Sequence, residues 1–171
     1  ELFEKKGVPE KYFKLPLGEA VIRRVGKNLT ILTIGPSLYT ALQAANELED
    51  YGVISEVIDV RTLVPFDYDT VVKSIKRTGR LLIVSEAVER GSFAKTVAAN
   101  VAQLVFDYLK APPITLGAPN WIAPGADMEE TYTPQAQDVL DAVLSNFFPE
   151  KRINKFGIRN WDISKLSKDG I

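Results

Sequence analysis

The chain has 171 residues, 46% hydrophobic and 25% charged, which suits one soluble globular domain with a tail. Its 21 basic and 22 acidic side chains leave a net charge of −1, which argues against a nucleic-acid surface as its main business. Neither cysteine nor histidine occurs, so thiolate nucleophiles, Ser-His triads and ordinary zinc sites are excluded.

Acid–base chemistry would therefore rest on Asp, Glu, Lys or Tyr, or come from another chain. No run approaches the ~18 apolar residues that a membrane span needs. The opening "ELFEKKGVPEKYF" is charged and has no apolar core of a signal peptide. It starts at Glu1 rather than Met, as a fragment or processed product would. The lack of cysteine fits a reducing compartment.

In chain order, Val21 and Val25 flank a short strand, and Gly26-Lys27-Asn28 supplies turn residues before the strand "LTILTIG" at 29–35. The two are expected to pair as a hairpin. Gly35-Pro36-Ser37 then breaks the strand and starts a helix, with Leu38, Ala41, Leu42, Ala45 and Leu48 at helical spacing and Gly52 as the stop. "SEVIDV" at 55–60 is the next strand. Asp67 caps a helix carrying Val71, Val72 and Ile75, which Gly79 ends.

"RLLIVSEA" at 80–87 is another buried strand, followed by the polar loop "VERGS" and a helix from about Ser92 to Lys110. Phe93, Val97, Val101, Leu104, Val105 and Tyr108 are its predicted inward face. "ITLGAP" is a last strand, and 120–132 has neither period and reads as a loop. Thr133 is the expected cap of a final helix with Pro134 in its first position and Val139, Leu140, Val143, Leu144 and Phe147 inward. From Pro149 the chain is basic and irregular, a tail with Phe156 and Trp161 as docking residues.

Alternating strands and helices predict an α/β fold. The expectation is three αβα layers around a mostly parallel sheet of about five strands with one antiparallel strand. Ligands of such sheets gather at the carboxyl ends of the strands. Three sharp loops fall on that edge. "GPS" at 35–37 is a plain helix cap or an anion site at a helix start. Arg61, at the end of a core strand, grips a ligand anion or ties neighbouring loops through carbonyls and Glu86. A buried arginine without a partner would cost on the order of 3–5 kcal/mol. Glu86, Glu89 and Arg90 are an acid–base cluster or solvated loop charges. Gly91 and Ser92 supply a turn and a cap, and Trp121 lines a pocket or anchors an interface. None of these constitutes a catalytic site.

The stretches "YFKLPLGEAVIRRVGKNLTILTIG", "VIDVRTLVPFD", "LLIVSEAVERGSFAKTVAANV" and "APPITLGAPNWIAP…YTPQAQDVLDAV" occur in an order that resembles the C-terminal domain of the transketolase superfamily. The similarity runs from about Pro9 to Phe148 and is strongest toward the beta subunit of 2-oxo-acid dehydrogenases, the pyruvate and branched-chain decarboxylating components. The resemblance implies a parent enzyme that uses thiamin diphosphate and magnesium for oxidative decarboxylation with acyl transfer to a lipoyl arm. The cofactor would be held by an N-terminal pyrimidine-binding domain and an alpha subunit or fused alpha region. The domain itself would bind no cofactor and serve assembly, within a homo-oligomer and toward the dihydrolipoyl acyltransferase core.

Carried over by position, Arg61, Pro65 and Asp67 match the family's strand-end motif, and Glu86, Gly91 and Phe93 its next strand-end loop. Neither the activating glutamate nor the diphosphate motif is present. Many relatives carry His where this chain has Ser85, and their beta subunits end near the last helix, whereas this chain continues from Glu150 to Ile171. The expected organisation is a lead-in at 1–18, the domain at 19–149 and a tail at 150–171. The expected compartment is the cytoplasm, or the mitochondrial matrix in a eukaryote. The competing readings are an independent small-ligand or nucleotide-binding domain and, within the superfamily, a transketolase or deoxyxylulose-phosphate synthase domain.

Overall fold

The computed structural model describes residues 12–125 and 128–151. Its centre is a sheet of β1 (Val21–Arg24), β2 (Leu29–Ile34), β3 (Ser55–Asp59), β4 (Leu81–Val88) and β5 (Ile114–Ala118), in the order β1-β3-β2-β4-β5. β1 runs antiparallel to β3, and the other neighbours are parallel. The helices are α1 (Ser37–Glu47), α2 (Tyr68–Thr78), α3 (Phe93–Leu104), the short α4 (Glu129–Tyr132) and α5 (Ala136–Phe147).

Successive strand residues point to opposite faces, so the apolar runs feed two cores. Leu29, Ile31, Val57, Leu82 and Val84 meet α1 and α5 on one side. Leu32, Ile58, Leu81 and Ile83 meet α2 and α3 on the other. The expected three-layer architecture with one antiparallel strand is what forms. No helix among the described residues is long and apolar enough to cross a membrane.

The β1–β2 hairpin does not form. β1 pairs with β3 instead, and the link between β1 and β2 passes across the start of β3. Gly26 makes that crossing, where a Cβ would lie 2.1 Å from the Glu56 nitrogen. Lys27 and Asn28 amides then donate to the Ile54 carbonyl at 3.0 and 3.1 Å. The turn chemistry of Gly-Lys-Asn is therefore spent on a crossover rather than on a hairpin.

Other boundaries also shift. Asp67 caps α2, and Gly79 ends it in the left-handed region, as expected. α3 stops at Leu104, with a 3-10 turn at Phe106–Tyr108, leaving Leu104 and Tyr108 exposed rather than inward. α5 begins at Ala136, not after Thr133, because the Asp138 carboxylate accepts the Gln135 amide at 2.8 Å and fixes the cap there. Its predicted inward residues are all buried. The tail positions Phe156 and Trp161 lie outside the described residues.

Candidate functional site

The chain leaves β2 toward β3 and leaves β4 toward β5, so the topological switch lies between the carboxyl ends of β2 and β4. Ser37 occupies it. Its buried hydroxyl lies 2.9 Å from the Ile34 carbonyl oxygen and 2.8 Å from that of Val84. The expectation of a cap at 35–37 is corrected accordingly. Pro36 precedes α1 without a side-chain bond, and the Ser37 hydroxyl is used on the strand ends.

Beyond β3 the backbone turns sharply. Arg61 adopts φ 61°, and the Thr62 amide donates to the Val60 carbonyl at 2.6 Å, closing a γ-turn around it. A non-glycine residue in this region is strained, and such residues concentrate at functional positions. The Val64–Pro65 bond is cis. Thr62 Oγ1 accepts the Gly18 amide at 2.9 Å and donates to the Pro65 carbonyl at 3.0 Å. Gly18 has φ 77°, and a Cβ there would lie 2.8 Å from Pro65 Cγ.

Asp67 completes the tie. Its carboxylate accepts the Thr70 amide at 3.0 Å, the Thr70 hydroxyl at 2.7 Å and the Ala20 amide at 2.9 Å. Burial pushes its pKa up, but the Thr70 bonds, the Ala20 amide and Lys73 outweigh burial and hold it below the ordinary 3.8. Thr62 and Asp67 therefore clamp the loop to the lead-in at Gly18 and Ala20. The tie expected of Arg61 is corrected: among the described residues its half-buried side chain makes no hydrogen bond or ion pair, with Glu86 or any other.

Beyond β4, Ser85 is buried and accepts the Ala87 amide at 3.0 Å. Glu86 is exposed and makes no hydrogen bond among the described residues. Partial desolvation, then the charge of Glu129, pushes its carboxyl pKa above the ordinary 4.5. Glu89 is paired, with Lys95 Nζ at 2.5 Å and the Thr115 hydroxyl at 2.9 Å. Gly91 turns the chain at φ 68°, and Ser92 caps α3 through the Lys95 amide. Phe93 lies 5.9 Å from Phe66, which is 4.6 Å from Tyr68, so an aromatic cluster joins two of the loops.

Beyond β5, Trp121 is 62% exposed, and its carbonyl accepts the Tyr132 hydroxyl at 3.2 Å. Arg61, Pro65, Asp67, Glu86, Gly91, Phe93 and Trp121 thus share one edge of the sheet but form no convergent reactive set. Around them Leu17, Leu63, Val64 and Ile122 stand exposed, Val64 at 86% and Ile122 at 84%. No group of three metal-ligating side chains occurs among the described residues. Apolar surface thus lies next to opposite charges that are unpaired among the described residues. Sequence reasoning read Ser37 only as part of a helix start and passed over Thr62 and Ala20. Nothing in their residue types marks a strand stitch or a loop tie.

The transketolase C-terminal domain family model matches residues 18–139. The chain is 37% identical over 134 residues to the pyruvate dehydrogenase E1 component subunit beta of Bacillus subtilis (strain 168), covering 78% of this chain and 41% of that protein. For the protein of the same name in Rhizobium meliloti (strain 1021) the identity is 41% over 132 residues, covering 77% and 29%. For the acetoin:2,6-dichlorophenolindophenol oxidoreductase subunit beta of Bacillus subtilis (strain 168) it is 39% over 138 residues, covering 80% and 40%. The chain therefore spans well under half the length of these relatives. It also resembles a solved structure described as a split gene transketolase, inactive beta4 tetramer. There the TM-score is 0.69 at 28% identity, over 85% of this chain and 48% of that one.

Proposed function

The chain belongs to the transketolase C-terminal domain family, and from that membership we propose that it is the assembly domain of a thiamin-diphosphate-dependent 2-oxo-acid dehydrogenase. The parent would carry out oxidative decarboxylation with acyl transfer to a lipoyl carrier. Its N-terminal pyrimidine-binding domain and alpha subunit or fused alpha region would supply the cofactor site. Residues 19–149 form the domain on this reading, 1–18 its lead-in and 150–171 a tail for assembly or docking. A homo-oligomer and the dihydrolipoyl acyltransferase core are the further partners, and the cytoplasm or the mitochondrial matrix is the compartment.

One observation carries the reading: the carboxyl edge presents exposed apolar side chains together with Arg61 and Glu86, which are unpaired among the described residues. Such a surface is completed by another domain. The described residues do not fit thiamin diphosphate or its magnesium. The switch crevice is stitched by Ser37, and no carboxylate cluster among the described residues stands ready for a cation. No step through the cofactor is assigned to this chain.

Calorimetry of the chain with thiamin diphosphate and magnesium, then with nucleoside phosphates, tests the assignment. The expected result is no heat of binding from either. Micromolar nucleotide binding would instead make this an independent ligand-binding domain.

A further inference from the structure

β5 is the last strand of the sheet, and its outer side has no partner strand among the described residues. None of the described residues after β5 adds one. After β5 the chain passes through α4 to α5, which packs on the face occupied by α1, and Lys151 Nζ donates to the Tyr51 and Gly52 carbonyls at 2.9 and 3.3 Å. The open edge is the floor of a groove of about 540 Å³. Pro113, Leu116, Pro119, Tyr132 and Pro134 give it an apolar lining.

The charges along the groove are unequal in availability. Glu89 is neutralised by Lys95, and the Asp138 carboxylate is engaged with the Gln135 amide. Arg90, exposed and lining the groove at its carboxyl end, makes no hydrogen bond or ion pair among the described residues. A row of unpaired strand amides and carbonyls beside apolar pockets is the surface that captures extended peptides by strand addition.

We infer that β5 is the docking edge for an extended peptide segment of another protein, bearing alternating apolar side chains and an acidic residue placed to meet Arg90. The backbone of the segment pairs with β5, alternate side chains enter the groove, and the carboxylate meets the free guanidinium. A second copy of this chain is the poorer occupant. Antiparallel pairing of two β5 strands would bring Arg90 to the Pro113 and Asn146 end of its partner, where the groove lining carries no carboxylate. This proposal does not depend on which enzyme the parent is.

The test is selection from a random octapeptide display library on the 171-residue chain, followed by fluorescence anisotropy with the synthesised winners. The expected winners alternate apolar residues and carry one Asp or Glu. N-methylating the amides on one side of the peptide strand should weaken binding tenfold or more, while N-methylating the other side should not. Arg90→Glu should weaken the acidic peptides at least tenfold and favour versions with Lys at the acidic position. Selection of no peptide, or winners indifferent to both N-methylation and Arg90→Glu, would overturn the inference. So would a concentration-dependent dimer in sedimentation equilibrium that protects the amides of 114–118 from exchange.

Discussion

The Asp67 carboxylate accepts the Ala20 amide at 2.9 Å across 47 residues of sequence, while also capping α2 through Thr70. One side chain therefore sets the start of a helix and fastens the lead-in to the loop beyond β3. Replacing Asp67 by Ala should cost the chain about 1–2 kcal/mol, the usual loss of a good cap, with a further contribution from the freed Ala20 amide. Because the folded pKa is depressed, this stabilisation is complete above 3.8 and is lost as pH falls from there through the folded value. Urea melts of both proteins at neutral pH and in steps below pH 4 should show the gap closing. A gap that persists in acid would mean that the carboxylate is not its source.

Arg61 holds a strained backbone conformation and donates its side chain to nothing within the described residues. Arg61→Ala should leave the isolated chain within about 0.5 kcal/mol of the parent sequence. Arg61→Gly should raise its stability by up to about 1 kcal/mol as the positive φ is relieved. In the full-length parent both should weaken assembly, read by sedimentation velocity, with thiamin diphosphate affinity largely retained. Loss of cofactor affinity with the assembly intact would contradict the interface role.

The elevated pKa of Glu86 gives the opposite sign to that of Asp67. The unfolded chain releases this proton first, so the isolated domain loses stability as pH rises from 4.5 through the raised folded value. Glu86→Gln removes that penalty. The variant should be the more stable protein above this window and no more stable below it, as read from denaturation midpoints between pH 4 and 8. Equal midpoints throughout would show that Glu86 is not perturbed.

Gly26→Ala should be severe, roughly 3 kcal/mol or more, because its Cβ would lie 2.1 Å from backbone that cannot move without shifting β3. Gly125→Ala meets nothing within 4 Å and should be close to neutral. Thermal melts of the two variants, side by side, measure the difference. Similar melts would mean that the crossing is loose.

Apolar periodicity made the layers legible. The runs at Leu29–Ile34 and Leu81–Val84 could only be strands covered on both faces, and the α5 stripe needed a core to meet. Strand order was not legible where a turn and a crossover use the same residues, as at Gly26-Lys27-Asn28. The candidate edge was found because strand ends, prolines and glycines mark it. The division of labour within it was hidden. A threonine that ties a loop and an arginine that ties nothing look alike in sequence, since only the backbone path decides which one reaches a partner.

The lead-in and the strand-end loops occupy one end of the sheet, while Lys151 anchors on Tyr51 and Gly52 at the other. A strand separates them, about 17 Å of backbone for five residues. The chain contains no cysteine, so a single thiol introduced at the exposed Asp50 would be its only attachment point. A molecule coupled to a sensor chip or bead through that position would stand upright, with the strand-end loops facing the solution rather than the support.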